Sequence, residues 1–357
     1  MEWTTHSLDA SPFAPLSLFG NSPTTSPMSL PTIFDPSGVS DVKLLKYGKV
    51  YLLTMGDGSE LVIKAESQQF QITDRIAERK KMDFGFQIAQ KVASAGNSRV
   101  MDQVEVKRLA RLQAAFPDPA FGWDVSLDPR YNAQTSWLLM EAASGLKNLE
   151  DVMGKGEGKQ FLSLLMLFGL HQKDNLVALG KILAMDCFLG NSDRFIVDDS
   201  TAQDPIKNLG NVFFQKQSDK SFKVVGIDPM DPNSGWAKLD QDILTVTQAV
   251  SRQGGRQVTE EMKQWPGLIL KSDKRMRDLA KRCLRAVNDH LMEFAKLSDK
   301  EKKTWTVRGK HFDLVEKGIK KGRDEIKLIA RARVAPKGGR AGAPSGLMSR
   351  MQTLGWA

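Results

Sequence analysis

The chain has 357 residues, 41% of them apolar, with a formal net charge of +9. That length and apolar content suffice for two lobes, each with its own core. The most apolar run, 161–170, falls well short of the roughly 20 residues that span a bilayer, and the N-terminus lacks the basic start and apolar core of a signal peptide, so a soluble protein is expected.

Residues 1–40 contain no Lys or Arg, three acids, six prolines and thirteen Ser or Thr. Such a segment buries too little apolar surface to offset its ordering entropy, and a disordered leader is expected. Ser-, Thr- and Pro-rich leaders without basic residues resemble those of bacterial secreted effectors, which suggests an export signal; a plain solvated tail is the alternative. The remaining 317 residues then carry a net charge of +12.

From Asp41 short apolar runs alternate with turn residues. Val42–Leu45, Val50–Leu53 and Glu60–Lys64 read as three antiparallel strands, the last two joined by a turn at Met55-Gly56-Asp57-Gly58. Residues 68–94 have helical periodicity and carry Glu78, 14 residues after Lys64. A carboxylate there can orient the strand lysine, with Glu66 as its rival. A helix over Gln103–Ala115 precedes a Pro- and Asp-rich loop, 116–131. Thr135–Gly145 then reads as a buried strand running into a connector between lobes, where the backbone of Met140, Glu141 and Ala142 can meet a purine.

The rest of the chain is helix-rich. Gly154, Gly156 and Gly158 lack a phosphate-loop spacing and read as a flexible loop. Asn175–Leu189 reads as a buried helix capped by Gly190. Further helices are expected near Asp240–Arg252, Ser272–Leu297 and Lys310–Arg333, the last strongly basic, which reads as a solvated face or an anionic binding surface. The tail 335–357 is rich in Gly, Ala and Pro and reads as mobile. Cys187 and Cys283 lack metal-site spacing and read as core residues in a reduced, cytoplasmic setting.

The chemistry concentrates after that buried helix. Gly190-Asn191-Ser192-Asp193-Arg194 is followed by Asn208-Leu209-Gly210-Asn211-Val212-Phe213-Phe214, then by Gly226-Ile227-Asp228-Pro229. An Asp-Arg pair after a helix, an Asn before an apolar strand and an Asp after another is the order in which phosphotransferases present a proton acceptor and two metal ligands. With Asp186 in the preceding helix, this signature resembles the actin-fragmin kinase-like branch of the kinase superfamily, which shares features with phosphatidylinositol 3- and 4-kinases. The resemblance covers roughly Val42–Leu244 and is specific over Leu179–Asp228. It implies that Asp193 accepts or orients the substrate hydroxyl, with Arg194 in support. Asn211 and Asp228 would hold Mg²⁺ on the ATP phosphates, with Asn208 a rival to Asn211, and Lys64 would reach the phosphates. Seventeen residues separate Asp193 from Asn211, no Gly-x-Gly-x-x-Gly precedes Lys64, and Pro229-Met230 stand where Phe-Gly is usual.

The expected fold class is therefore α+β, two-lobed and protein kinase-like. A leader over 1–40 precedes a small antiparallel-sheet lobe and hinge over 41–142, a helical large lobe over 143–334 and a basic tail over 335–357. The expected function is ATP- and magnesium-dependent phosphoryl transfer to a protein hydroxyl on Ser, Thr or Tyr. A phosphoinositide kinase at an anionic lipid surface and a catalytically silent binding module are the alternatives. The positive charge has no base-reading or stacking motif beside it, which argues against a nucleic-acid partner. A cytoplasmic location follows, in a host cytosol if the leader directs secretion from a bacterium.

Overall fold

The computed structural model describes residues 30–45, 50–67, 85–93, 96–117, 135–143, 145–191, 193–196, 202, 204–228 and 273–334. Strands β1 (Val39–Leu44), β2 (Val50–Met55) and β3 (Glu60–Ser67) form from alternating apolar residues, with Val42, Tyr51, Leu53, Leu61, Ile63 and Ala65 buried. The β2–β3 hairpin closes as read: Gly58 takes a left-handed φ of 80°, and Asp57 accepts the Ser59 N–H at 2.9 Å. With β4 (Ser98–Val100) and β5 (Thr135–Glu141) these strands make one antiparallel sheet in the order β1-β2-β3-β5-β4. The protein is thus an α+β molecule with the two-lobed, kinase-like plan.

Two sequence boundaries shift. The leader was expected to extend to residue 40, yet Phe34 is fully buried in the small-lobe core and β1 begins at Val39. The reason is Glu105, in helix α2 (Gln103–Ala115), whose carboxylate accepts the Phe34 N–H at 2.6 Å while pairing with Arg99. Lys64, expected to end its strand, lies inside β3 because pairing with β5 continues to Ser67. The helix expected at Asp240–Arg252 and the tail 335–357 lie outside the described residues.

A helix described over residues 85–92, α1, joins the lobes. Phe86 packs with Val100 and Leu138 of the sheet, whereas Ile88, Ala89, Val92 and Ala93 enter the large-lobe core. That core is built by α4 (Glu157–Leu170), α5 (Lys173–Leu189), α6 (Asp273–Phe294) and α8 (Gly309–Val334). The short α3 (Leu149–Val152) and α7 (Asp299–Trp305) flank them. A feature the sequence reading did not foresee is a second antiparallel sheet, β6 (Leu146–Asn148), β7 (Phe213–Lys216) and β8 (Phe222–Val225). Asn175 ties α5 to it: its amide donates to the Gly169 and Phe222 carbonyls, both at 2.7 Å, and accepts the Val224 N–H. Among the described residues no helix is long and apolar enough to cross a membrane.

Helix α5 is the central strut. On one side Gly180 faces Gly318 of α8 so closely that a Cβ at Gly180 would lie 2.0 Å from the Val315 carbonyl oxygen. On another, the Gly226 backbone passes between Ala93 and Ile182. Cys283 is buried in this core, where desolvation raises its thiol pKa and keeps it inert, and Cys187 is half-buried.

Two outcomes follow. Gly180→Ala should lower stability by about 2 kcal/mol or more through overpacking, while Gly158→Ala, in open space on the first turn of α4, should raise it by up to about 1 kcal/mol; denaturant titration of both variants compares them. Glu105 is pushed up by burial, but Arg99 and the Phe34 and Asp102 N–H groups outweigh that and hold its pKa below 4.5. The unfolded chain therefore takes up this proton first, so Glu105 stabilises above pH 4.5 and the benefit is lost as pH falls through the folded value. Glu105→Gln should be less stable at pH 7 and show a flatter acid limb in melting temperature against pH.

Candidate active site

Helix α5 ends where Gly190 adopts φ 67°, ψ 22°, a conformation that costs glycine little. The chain then turns into Asn191, whose Oδ1 accepts the Asp193 N–H at 3.1 Å and whose amide donates to the Asp228 carbonyl at 3.0 Å. One side chain thus sets the positions of two candidate site residues.

Arg194 is 2% exposed, and its guanidinium is fully engaged. Nη1 donates to both oxygens of Asp186 at 2.6 and 2.8 Å, Nε to the Asn211 carbonyl at 2.7 Å, and Nη2 to the carbonyls of Ile227 and Asp228. Burial pushes the Asp186 carboxyl up to about 6, while the Arg194 guanidinium and the Asn191 amide pull it down. The arginine read as a supporting residue is therefore a clamp. It joins the end of α5, the turn carrying Asn211 and the segment carrying Asp228.

The long spacing between Asp193 and Asn211 has a simple cause. Phe195 bridges Ile206, the Ile196 N–H donates to Pro205 at 2.7 Å, and the Lys207 N–H donates to Arg194 at 3.1 Å. The intervening chain leaves and returns at one point, so Asn211 Nδ2 still reaches Asp193 Oδ2 at 2.6 Å. That bond engages the nitrogen of the Asn211 amide, so its oxygen is the end that could meet a cation. Asn208 differs: its Oδ1 accepts the Gly210 N–H at 2.9 Å and shapes the turn Leu209–Asn211.

Asp228 has φ 57°, unusual for a residue with a side chain, and the bonds from Asn191 and Arg194 hold it there. Its carboxylate meets Lys64 Nζ at 2.8 and 2.9 Å, linking small and large lobes. The side chain of Glu66, the rival considered from sequence, lies outside what is described. Glu78 lies outside the described residues.

The connector is more constrained than the sequence suggests. Met140 stands opposite Val62 and Ser98 in the ladder. Glu141 gives its N–H to the Asn97 carbonyl at 2.9 Å, and its carboxylate holds the Asn97 backbone and side-chain amides at 2.8 and 2.5 Å. Of the three purine-contact candidates, Ala142 alone follows the strand's end.

A family model described as the catalytic domain of actin-fragmin kinase matches residues 97–309, more than half of the chain. The chain belongs to the actin-fragmin kinase catalytic family. The match spans Asp186, Asp193, Arg194, Asn211 and Asp228, while Lys64 precedes it and joins the site by geometry. No curated protein matches the chain. Within this family member Asn211 and Asp228 offer one amide oxygen and one carboxylate. Among the described residues no group of three His, Cys, Asp or Glu surrounds them. This sparse, hard-oxygen set suits a cation that takes its other ligands from phosphates and water, as Mg²⁺ does.

Arg194→Lys tests the clamp. An ammonium lacks the planar fork that serves Asp186, Asn211, Ile227 and Asp228 together, and each buried carbonyl left without a donor costs about 1–3 kcal/mol. The variant should keep its net charge yet unfold at lower denaturant, by roughly 2 kcal/mol or more; a midpoint equal to wild type would show that the clamp is dispensable.

Proposed function

We propose that this kinase-family chain transfers the γ-phosphoryl group of ATP, with Mg²⁺, to a hydroxyl of a protein. The observation that carries the reading is that Lys64 pairs with Asp228 at 2.8–2.9 Å and Asn211 with Asp193 at 2.6 Å, while Asn191 and Arg194 tie the two pairs together across four separate stretches. Phosphoryl transfer asks little covalent chemistry of a protein; it asks for a positioned nucleophile and compensated charge.

Each residue has a part in that task. Asp193 accepts the proton of the attacking hydroxyl or aims its lone pair, and the Asn211 amide holds one carboxylate oxygen so that the other can do so. Asn211 Oδ1 and Asp228 would hold Mg²⁺, which supplies positive charge against the phosphate oxygens. Lys64, already beside Asp228, places an ammonium where phosphate charge gathers. Asn191 and Arg194 keep these groups in register. Ala142 offers backbone to the purine.

The family's name favours a protein acceptor. A phosphoinositide acceptor is the second reading, favoured by the net +12 over residues 41–357, which suits an anionic membrane surface. We place the protein in the cytoplasm, or in a host cytosol if its Ser/Thr/Pro-rich leader directs export.

The test is phosphate transfer from labelled ATP, with and without magnesium, to lysate proteins and to phosphoinositide vesicles. Wild type should label protein. Asp193→Asn should lower turnover by about 10²–10⁴-fold with nearly unchanged nucleotide affinity, and Asp228→Ala should lose magnesium-dependent ATP binding while staying folded. Transfer by Asp193→Asn at the wild-type rate would falsify the catalytic assignment. Magnesium-ATP binding without transfer to any acceptor would instead identify a silent binding module.

A further inference from the structure

At the opposite end of α5 from the catalytic loop lies a second polar site. His171, just after α4, meets the α7–α8 junction and lines a cavity of about 250 Å³ with Thr304, Trp305, Arg308, Lys310 and His311. Helix α5 separates it from Gly190 by about 25 Å at 1.5 Å per residue, so it is no part of the catalytic cleft.

The cavity gathers basic groups without an acid. The imidazoles of His171 and His311 lie 5.1 Å apart, and His171 also stands edge-on to Trp305 at 5.2 Å. Among the described residues no carboxylate pairs with Arg308 or Lys310. Asp313, further along α8, acts on Arg277. From α6 the group reaching His171 is the neutral amide of Asn288, at 2.8 Å; α7 adds Lys302 and Lys303 in its last turn, which are further positive charges.

The hydrogen bonds assign the donors. His311 Nδ1 accepts the Arg308 backbone N–H at 3.0 Å, so the neutral ring carries its proton on Nε2 and donates from there. Arg308, Lys310, His311 Nε2 and the Thr304 hydroxyl are then four donors around one small space. Desolvation lowers the pKa of both rings; Lys310 lowers both further, while His171 and Arg308 also act on His311. The cluster thus suppresses its own protonation, and a bound anion would relieve the repulsion.

We propose that this cavity is a binding site for a phosphomonoester group, held by Arg308, Lys310 and His311. The chemistry is shared by a free phosphorylated metabolite and a lipid headgroup. Binding lets His171 take up a proton while its Nε2 stays on Asn288, so affinity should rise as pH falls from 8 to 6. Sulfate keeps its charge across that range and isolates the histidine contribution from titration of phosphate.

The experiment is calorimetric titration of the full-length protein with inorganic phosphate, sulfate and glycerol 3-phosphate at pH 6 and 8, together with sedimentation on phosphatidic acid vesicles. Saturable binding that is at least about fivefold tighter at pH 6 for sulfate is expected. It should weaken about tenfold or more in Arg308→Ala/Lys310→Ala, whose changes are exposed and should leave the melting temperature intact. Lys64→Ala, which removes a cation from the catalytic cleft, should leave the affinity in place. Binding of the soluble esters points to a metabolite, and retention on vesicles alone points to a headgroup. No binding to any of these probes, or equal binding by the double variant, overturns the site.

Discussion

A guanidinium with almost no access to water is tolerable only beside a counter-charge and with every N–H employed. Asp186 supplies the charge, and the carbonyls of Asn211, Ile227 and Asp228 take the remaining donors of Arg194. The pair therefore settles more than its own burial. It decides how the end of one helix stands to two loops that are distant in sequence. Asn211 meets Asp193 from the end of a single 3-10 turn, Leu209–Asn211, and Asp228 lies beyond β8 with no regular element to fix its course.

The fold supplies rigidity where this network needs it. Helix α5 bears Asp186 and is held by glycine contacts with α8, by Asn175 against β8, and by the close passage of the Gly226 backbone. Helix α1 contributes to both lobes, and the Lys64–Asp228 pair spans them from β3. A small displacement of α5 would therefore be felt at Asn211 and Asp228 through Arg194.

Much of this plan was readable in residue order. Alternation revealed β1 to β3, periodicity revealed α2, α5, α6 and α8, and the sequence of Asp193, Asn211 and Asp228 gave the site its outline. What stayed hidden was long-range. Strands β4 and β6 have three residues each, too short for a periodic signal. The burial of Phe34 depends on Glu105, 71 residues away. That Asn208 shapes a turn while Asn211 faces Asp193 is a matter of side-chain direction, which two asparagines three residues apart cannot reveal. The engagement of Glu141 by Asn97 likewise depends on a strand edge that composition does not disclose.

The arm that leaves the site at Phe195 and returns at Ile206 has a bearing on how relatives are recognised. Its ends are fastened by backbone bonds of 2.7 and 3.1 Å, so the number of residues between them does not set the distance from Asp193 to Asn211. Doubling the length of such a closed excursion costs only about 0.6 kcal/mol in chain entropy. Evolution can lengthen or trim it with little penalty. Spacing between Asp193 and Asn211 is then a poor ruler of kinship, and a search pattern for this architecture should fix the two ends of the arm and leave the distance between them open.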